Sequence, residues 1–231
     1  MELTHTRILV DKYAECFLSR VNINKIDTML IQKFMNNDKE TIWKDGITLM
    51  ITGTKVELRP VSLEDYKRTY EWNNDEETAK LGVGSELFRL SHVPLEKIVD
   101  DYEKVKKIDK REEGVFSIYT RGENPKHIGT INYRELNIVT RRCTVGIGIG
   151  VKEYWDNGYG SDAMKALIHY LFQTMNLNRI QLETWSGNIR AIRSYEKNGF
   201  VVEGRLRNDV YIDGKYYDTI VMGLLKEEYQ S

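Results

Sequence analysis

The stretch WDNGYGSDAM (residues 155–164) places two glycines, one residue apart, at the start of a helical pattern. Apolar residues recur at helical spacing from Ala163 to Met175. The first turn of a helix leaves backbone N–H groups without partners, at the positive end of the helix dipole. These residues therefore predict an anion site, with phosphate as the expected anion. A strand-to-helix turn that binds nothing explains the same ten residues equally well.

Three kinds of phosphate-binding site place glycines at such a turn. A P-loop is excluded because Ser161 and Asp162 follow Gly160, where a lysine is required. A dinucleotide site fits better, because residues 158–163 match G-x-G-x-x-A and Glu183 ends the next predicted strand. However, KEYWDN separates the glycines from the preceding strand, and the strands before it read as an antiparallel meander. The third kind of site binds the pyrophosphate of coenzyme A.

A second block lies downstream, from Asn188 to Phe200. Asn188 suits a helix N-cap and Gly199 suits the C-terminal cap of the same helix. Tyr195 shares one helix face with Ala191, so its hydroxyl is expected on the side facing the core. Taken alone, it would be an ordinary core tyrosine. Paired with the upstream glycine turn, a functional tyrosine becomes the favoured interpretation.

Together the two blocks resemble the signature of the GNAT superfamily of acyl-CoA-dependent N-acetyltransferases. The family pattern Gln/Arg-x-x-Gly-x-Gly/Ala matches residues 155–160, except that Trp155 stands at its first position. An aromatic residue there is familiar in the branch that includes ribosomal-protein-alanine and polyamine N-acetyltransferases. The resemblance covers about residues 55–226 and implies acetyl-CoA as the donor.

The same resemblance implies a catalytic scheme of direct transfer to an amine, with no metal and no covalent enzyme intermediate. Tyr195 would protonate the departing CoA thiolate, and Glu183 would deprotonate the amine, directly or through water. The strand VGIGIGV (residues 145–151) would bond the pantetheine arm through its main chain. The residues expected to bind the cofactor are Ile147, Ile149, Val151, Trp155, Asn157, Gly158, Tyr159, Gly160, Ser161, Asn188 and Ala191.

The expected fold is α/β, close to α+β: a GNAT fold with a mixed, mostly antiparallel sheet of six to seven strands splayed in a V and about four flanking helices. Ser62 is predicted to cap the first helix with Asp65 at its third position, and Asp213-Gly214 predicts a tight hairpin. In the family, a bulge opens the V. Strands are predicted at 55–60, 114–120, 127–134, 142–151, 179–185, 200–212 and 216–225, and helices at 62–73, 94–108, 159–175 and 189–198.

The amino-terminal part differs from the rest. Residues 1–50 show two short amphipathic helical patterns and are predicted to be a helical extension of unknown role, followed by the acetyltransferase domain at 51–231. Met50 would also serve as a natural amino terminus. That residues 1–50 form part of one continuous fold is equally compatible with the pattern.

Composition narrows the functional class. The 231 residues carry a net charge of −1, which gives no reason to expect nucleic acid as a partner. No apolar run reaches the length of a membrane span, and the start lacks a signal-peptide layout. Cys16 and Cys143 are far apart, and the four histidines have no ligand spacing. We therefore expect a cytoplasmic, metal-free protein, and a homodimer stays open.

The acceptor is the least determined part. An acidic run, which includes Glu71 and Asp75, could attract a cationic amine, although a charged helix end facing water explains it as well. Arg207, Tyr211 and Asp218 in the last two strands are further candidates for contacting the acceptor. A protein N-terminus, a polyamine and a small amine antibiotic all stay open. The alternatives to an acetyltransferase are a non-catalytic acyl-CoA-binding regulatory protein and an NAD-binding oxidoreductase.

Overall fold

A computed structural model describes residues 51–84, 92, 94–107 and 112–229, so the predicted extension at 1–50 lies outside the described residues. The described part contains one sheet with helices on both sides of it. Its strands are β1 (Ile51–Thr52), β2 (Val56–Pro60), β3 (Gly114–Thr120), β4 (His127–Asn137), β5 (Arg142–Ile149), β6 (Arg179–Trp185), β7 (Val201–Ile212) and β8 (Lys215–Leu225). Its helices are α1 (Leu63–Asn73), α2 (Glu76–Val83), α3 (Leu95–Val105), α4 (Tyr159–His169) and α5 (Ile189–Lys197).

The sheet is antiparallel except at one junction. Its strand order is β1-β2-β3-β4-β5-β6-β8-β7, and only β5 and β6 run parallel. Their pairing covers just Arg142–Thr144 against Arg179–Gln181, after which the two strands separate. The Gln181 side chain donates to Thr144 Oγ1 at 3.2 Å, where the pairing ends. The predicted V-shaped splay is therefore confirmed, with its base at Thr144 and Gln181.

The core lies between α4 and one face of the sheet. The apolar stripe predicted for this helix is buried, and Leu167 is 0% exposed. On β6 the side chains of Ile180 and Leu182 are buried, because successive strand residues point to opposite faces. Full burial of each such side chain stabilises the fold by roughly 1.5–3 kcal/mol. The same alternation turns Glu183 away from this core.

Local signals in the sequence set several element ends. Ser62 and Asp65 form the predicted capping box at the start of α1, and the Asn188 side chain caps α5 by accepting from Ala191 N. Gly199 follows α5 with φ +91°, as expected for a helix-ending glycine. Asp213 and Gly214 both have positive φ, which matches the tight turn predicted between β7 and β8.

Some elements differ from the sequence-based expectation. The described part has eight strands and five helices, one strand and one helix more than predicted. The additional elements are the two-residue β1 and the short α2, which the sequence pattern did not indicate. Strand β5 ends at Ile149, so Val151 lies beyond it and precedes a 3₁₀ turn at Lys152–Tyr154. The β4–β5 register is regular from Gly129↔Ile149 to Arg134↔Thr144 and irregular between Arg134 and Asn137. Beyond Ile149, the backbone N–H groups of Gly150 and Val151 both donate to the Ile128 carbonyl, at 2.9 and 3.3 Å. The V opens where β6 diverges from β5.

Candidate active site

A cavity of about 960 Å³ opens where β5 and β6 part. Strand β5 forms one wall, the end of β6 and the start of α5 form another, and α1 and α2 cover the opposite side. Ten of the residues predicted to be functional line it: Ile147, Ile149, Trp155, Gly158, Gly160, Ser161, Glu183, Asn188, Ala191 and Tyr195. The two signature blocks therefore meet at one site.

Strand β5 offers its main chain to this cavity. On its β4 side the strand is fully paired, but beyond Thr144 the side facing β6 has no strand partner among the described residues. A Cβ at Gly148 would meet nothing within 4 Å, whereas one at Gly150 would lie 1.9 Å from the Trp72 ring. Gly148 therefore leaves the strand backbone uncovered, and Gly150 makes room for the Trp72 ring.

The glycine turn leaves the amino end of α4 open. Gly158 is the N-cap residue, adopts φ +80°, and provides no side-chain cap. The Asp162 carboxylate points away from its own helix and accepts from the backbone N–H groups of Thr54, Lys55 and Val56 at 2.8–3.1 Å. Partial burial opposes ionisation of Asp162, but these hydrogen bonds outweigh it and lower its pKa. The first amides of α4 stay available to an anionic ligand.

Trp155 is held on the strand that precedes the turn. Its indole Nε1 donates to the Ile149 carbonyl oxygen at 2.7 Å. The Arg190 guanidinium lies over its ring, 3.9 Å from the centroid, and also lines the cavity. Sequence reasoning missed Arg190, because nothing in the pattern shows that the start of α5 lies against Trp155.

Tyr195 lies on α5 and is 8% exposed. Burial raises its pKa to about 12, so the phenol is protonated at neutral pH. Among the described residues, its hydroxyl has no hydrogen-bond partner, although the residue lines the cavity. A protonated hydroxyl that faces a cavity without a protein partner is available to a bound ligand.

Glu183 lies on the diverging arm of β6, where its backbone pairs with Val221 and its exposed side chain lines the cavity. Asn188 also lines the cavity, but both ends of its amide are engaged by the protein. Its oxygen accepts from Ala191 N at 3.2 Å, and its nitrogen donates to the Leu81 carbonyl at 3.1 Å. Asn188 therefore joins α5 to α2 in addition to bordering the site.

The family profile described as acetyltransferase (GNAT) domain matches residues 55–201, which is more than half of the chain. The chain belongs to the GNAT acetyltransferase family. The match includes both the glycine turn and the Asn188–Tyr195 block.

Individual relatives point to the predicted branch of the family. The spermidine N(1)-acetyltransferase of Escherichia coli (strain K12) is 29% identical over 180 residues, covering 78% of this chain and 91% of that protein. The putative ribosomal N-acetyltransferase YdaF of Bacillus subtilis (strain 168) is 32% identical over 102 residues, covering 44% of this chain and 55% of that protein.

A solved structure shares the fold. The spermidine N-acetyltransferase from Vibrio cholerae, in complex with CoA and spermine, matches with TM-score 0.64 and 24% identity, covering 76% of this chain and 98% of that chain. These matches confirm the predicted fold and enzyme class, an acyl-CoA-dependent N-acetyltransferase that acetylates an amine. Within the part of the chain described here, no helix has the length and apolar character needed to cross a membrane.

The GNAT domain places several predicted residues away from the cavity. Asp75 caps α2 and pairs with Lys152, whose hydrogen bond lowers the pKa of Asp75 to about 2. Asp218 accepts from Arg205 and from the Asn208 amide. The predicted residues that are not among those lining the cavity are Val151, Asn157, Tyr159, Glu71, Asp75, Arg207, Tyr211 and Asp218.

Other side chains line the cavity on the side of α1 and α3, and no pattern in the sequence indicates them. Tyr66, Tyr70 and Trp72 of α1 contribute three half-buried aromatic rings, and Asp101 of α3 contributes a carboxylate. Lys97 and Lys104 donate to Asp101 at 2.6 and 2.9 Å. On this side the Asp101 carboxylate is already paired with two lysines, of which Lys97 also lines the cavity, whereas Glu183 lines the same cavity and forms no ion pair within the described residues.

Proposed function

We propose that the protein transfers the acetyl group of acetyl-CoA to a primary amine of an aliphatic polyamine. The amine attacks the thioester directly, with Glu183 as the base and Tyr195 as the acid. The observation that carries the proposal is the single cavity at the parting of β5 and β6, which both residues line together with the glycine turn.

The donor fits the cofactor side of this cavity by chemistry. The open amides of α4 at Gly158–Ser161 suit the two phosphates of the CoA pyrophosphate. The unpaired main chain of β5 beyond Thr144 suits the amide groups of the pantetheine arm, which would add to the sheet like a short strand. The acetyl thioester would then lie in the V, between β5 and β6.

The reaction balances with these two residues. Glu183 accepts a proton from the ammonium group and passes it to solvent, and the free amine nitrogen forms a bond to the thioester carbon. The bonded nitrogen, now positively charged, loses its second proton to Glu183. When the carbon–sulfur bond breaks, Tyr195 donates its proton to the departing thiolate; Tyr195 then regains a proton from solvent and Glu183 releases one. A phenol with pKa about 12 is a weak acid. The apolar surroundings that raise this pKa also raise the proton affinity of a thiolate formed there.

The acceptor class follows from the α1 side of the cavity. Alkylammonium groups bind well to aromatic faces, and the side chains of Tyr66, Tyr70 and Trp72 on α1 all line the cavity. Glu183 adds a carboxylate that favours a cation, whereas Asp101 is already paired with Lys97 and Lys104. A polyamine carries several such cations on a flexible apolar chain. The spermidine acetyltransferases among the relatives support the same class.

A thiol-release assay with acetyl-CoA tests the proposal. The amine panel contains spermidine, spermine, a diamine, a peptide with a free N-terminus and an aminoglycoside. We expect the highest kcat/KM for a polyamine, and a preference for the peptide would refute the acceptor class. Calorimetric binding of CoA without turnover of any amine would instead indicate the non-catalytic alternative. Binding of NAD(H) in place of CoA would indicate the oxidoreductase.

The Tyr195→Phe variant tests the acid. We expect kcat with the best amine to fall by about 100-fold, because a general acid contributes about that much, while the KM for acetyl-CoA stays close to the wild-type value. Tyr216→Phe is a matched control, since Tyr216 is 65% exposed and lies outside the cavity. A Tyr195→Phe enzyme as fast as the wild type would exclude Tyr195 as the acid.

A further inference from the structure

We propose that Arg190, held against the face of Trp155, binds the pyrophosphate of CoA with its side chain. It would thereby replace the side-chain donor that Gln or Arg supplies at position 155 in the family pattern. The proposal rests on the proposed function, because it assumes that the cavity takes an acyl-CoA.

The position of Trp155 is set by its own contacts. The indole Nε1–H donates to the Ile149 carbonyl at 2.7 Å, at the last residue of β5. The ring cannot turn without losing this bond, so one of its faces is a fixed platform beside the cavity. Trp155 and Gly158 both line that cavity, which places the platform at the glycine turn.

Arg190 uses that platform. Its guanidinium carbon lies 3.9 Å from the Trp155 ring centroid, within the range of a cation–π contact. Stacking occupies the flat face of the guanidinium and leaves its N–H groups directed outward from the edge. A guanidinium fork of this kind binds two phosphate oxygens at once. Because stacking limits the rotamers of Arg190, little conformational entropy is lost when a phosphate binds.

The charge of Arg190 is not used within the described part of the protein. Four other arginines there form carboxylate pairs: Arg59 with Glu57, Arg68 with Asp65, Arg179 with Glu203 and Arg205 with Asp218. Arg134 and Arg193 line the cavity, like Arg190, without such a pair among the described residues. Within the described ranges, Arg190 has no carboxylate within 4.0 Å, although it is half-buried and lines the cavity. A half-buried guanidinium without a counter-ion at the edge of a cavity is a receptor for an anion.

The experiment measures CoA binding by calorimetry, independently of any acceptor. We expect Arg190→Gln to weaken CoA binding by roughly 10- to 100-fold, as expected for lost charge-assisted hydrogen bonds. Arg190→Lys should recover only part of the loss, because an ammonium has no planar fork. Arg142→Gln is the control, since it removes the same charge from an exposed residue at the far end of β5.

Trp155 variants test the platform. Trp155→Leu should weaken CoA binding nearly as much as Arg190→Gln, and the double variant should be hardly worse than either one. Trp155→Phe keeps an aromatic face and loses the bond to Ile149, so its effect should be intermediate. If Trp155→Leu reduces thermal stability, Trp155→Phe still tests the platform. Full additivity of the two losses would mean that Trp155 does not position Arg190.

A donor without phosphates separates binding from a merely structural role. Acetyl-pantetheine lacks the pyrophosphate, so Arg190→Gln should turn it over as the wild type does while showing a raised KM for acetyl-CoA. Equal losses with both donors would overturn the proposal, as would wild-type affinity of Arg190→Gln for CoA. If the wild-type protein itself bound no CoA, the proposed function would fail instead, which is a distinct result.

Discussion

The amino ends of α1 and α4 each carry an aspartate in the first turn, yet the two carboxylates point in opposite directions. Asp65 turns back onto its own helix end, where it accepts from Ser62 N at 3.1 Å and from Ser62 Oγ at 2.8 Å. Asp162 points away from α4 and binds the backbone of the β1–β2 turn. The same residue type closes one helix end and leaves the other open.

The amino end of α1 therefore serves the stability of the fold, whereas the amino end of α4 is left for a ligand. At α1 the capping box satisfies helix-end donors inside the protein, and Asp65 is 2% exposed. At α4 the glycine N-cap contributes no side chain, so the first amides remain free for a ligand. An aspartate that capped α4 would repel a phosphate there. Directing Asp162 to another segment removes that conflict and stabilises the turn at Thr54–Val56.

The largest expected effect on stability is at the amino end of α1. Asp65→Ala should lower the free energy of unfolding by about 3 kcal/mol, because it deprives several buried donors of their acceptor. These donors include Ser117 Oγ at 2.9 Å and Tyr119 Oη at 2.5 Å. Urea unfolding measures the loss, and Ser62→Ala is the reference, with an expected cost of about 1 kcal/mol for a cap alone. Equal losses for the two variants would show that the buried network adds nothing to the cap.

Asp162→Ala should have a smaller effect. We expect a loss of about 2 kcal/mol, since the hydrogen bonds to this carboxylate lie partly in solvent. Amide hydrogen exchange should accelerate at Thr54, Lys55 and Val56, whose N–H groups lose their acceptor. Asp100→Ala, an exposed residue of α3, should leave this exchange unchanged. Unaltered protection of the three amides in Asp162→Ala would contradict the role assigned to the carboxylate.

How far the sequence predicted these two ends depends on the range of the contacts. The capping box of α1 involves residues three apart, and the glycine turn is contained in six residues, so both were recognisable. The partners of Asp162 lie more than a hundred residues away in the chain, and no local pattern reveals them. Arg190 on Trp155 is likewise a tertiary contact.

The acceptor candidates named from the sequence are not among the residues that line the cavity, for a related reason. The acidic stretch after α1 suggested a rim for a cation, but Asp75 caps the unpredicted helix α2 and pairs with Lys152. The wall of the cavity instead uses Tyr66, Tyr70 and Trp72, which on sequence alone look like ordinary apolar positions of an amphipathic helix. The cavity exists only because β6 diverges from β5. Which residues of α1 line it therefore depends on tertiary structure and not on the local pattern of α1.

Gly158 and Gly160, at the amino end of α4, should differ in their tolerance of a side chain. Gly158→Ala places a Cβ on a residue with φ +80°, which we expect to cost about 1 kcal/mol and to raise the KM for acetyl-CoA several-fold. Gly160→Ala brings its Cβ to 3.4 Å from Ile149 Cγ1, an ordinary contact, and should change little. Steady-state kinetics and thermal unfolding compare the pair. A larger defect in Gly160→Ala would place the critical approach at the second glycine.

The smallest expected effect is the pH dependence that Asp162 contributes to stability. Its pKa is lowered in the folded protein, because backbone and Thr54 hydrogen bonds outweigh partial burial. The unfolded chain therefore binds more protons near the ordinary Asp pKa of about 3.9. This stabilisation is fully present above that pH and is lost as the pH falls through the folded pKa. The Asp162→Asn variant lacks the ionisable group, so its urea midpoint should decline less steeply than that of the wild type below about pH 4. Asp100→Asn should follow the wild type, and parallel declines for all three proteins would show that Asp162 is not linked to acid stability.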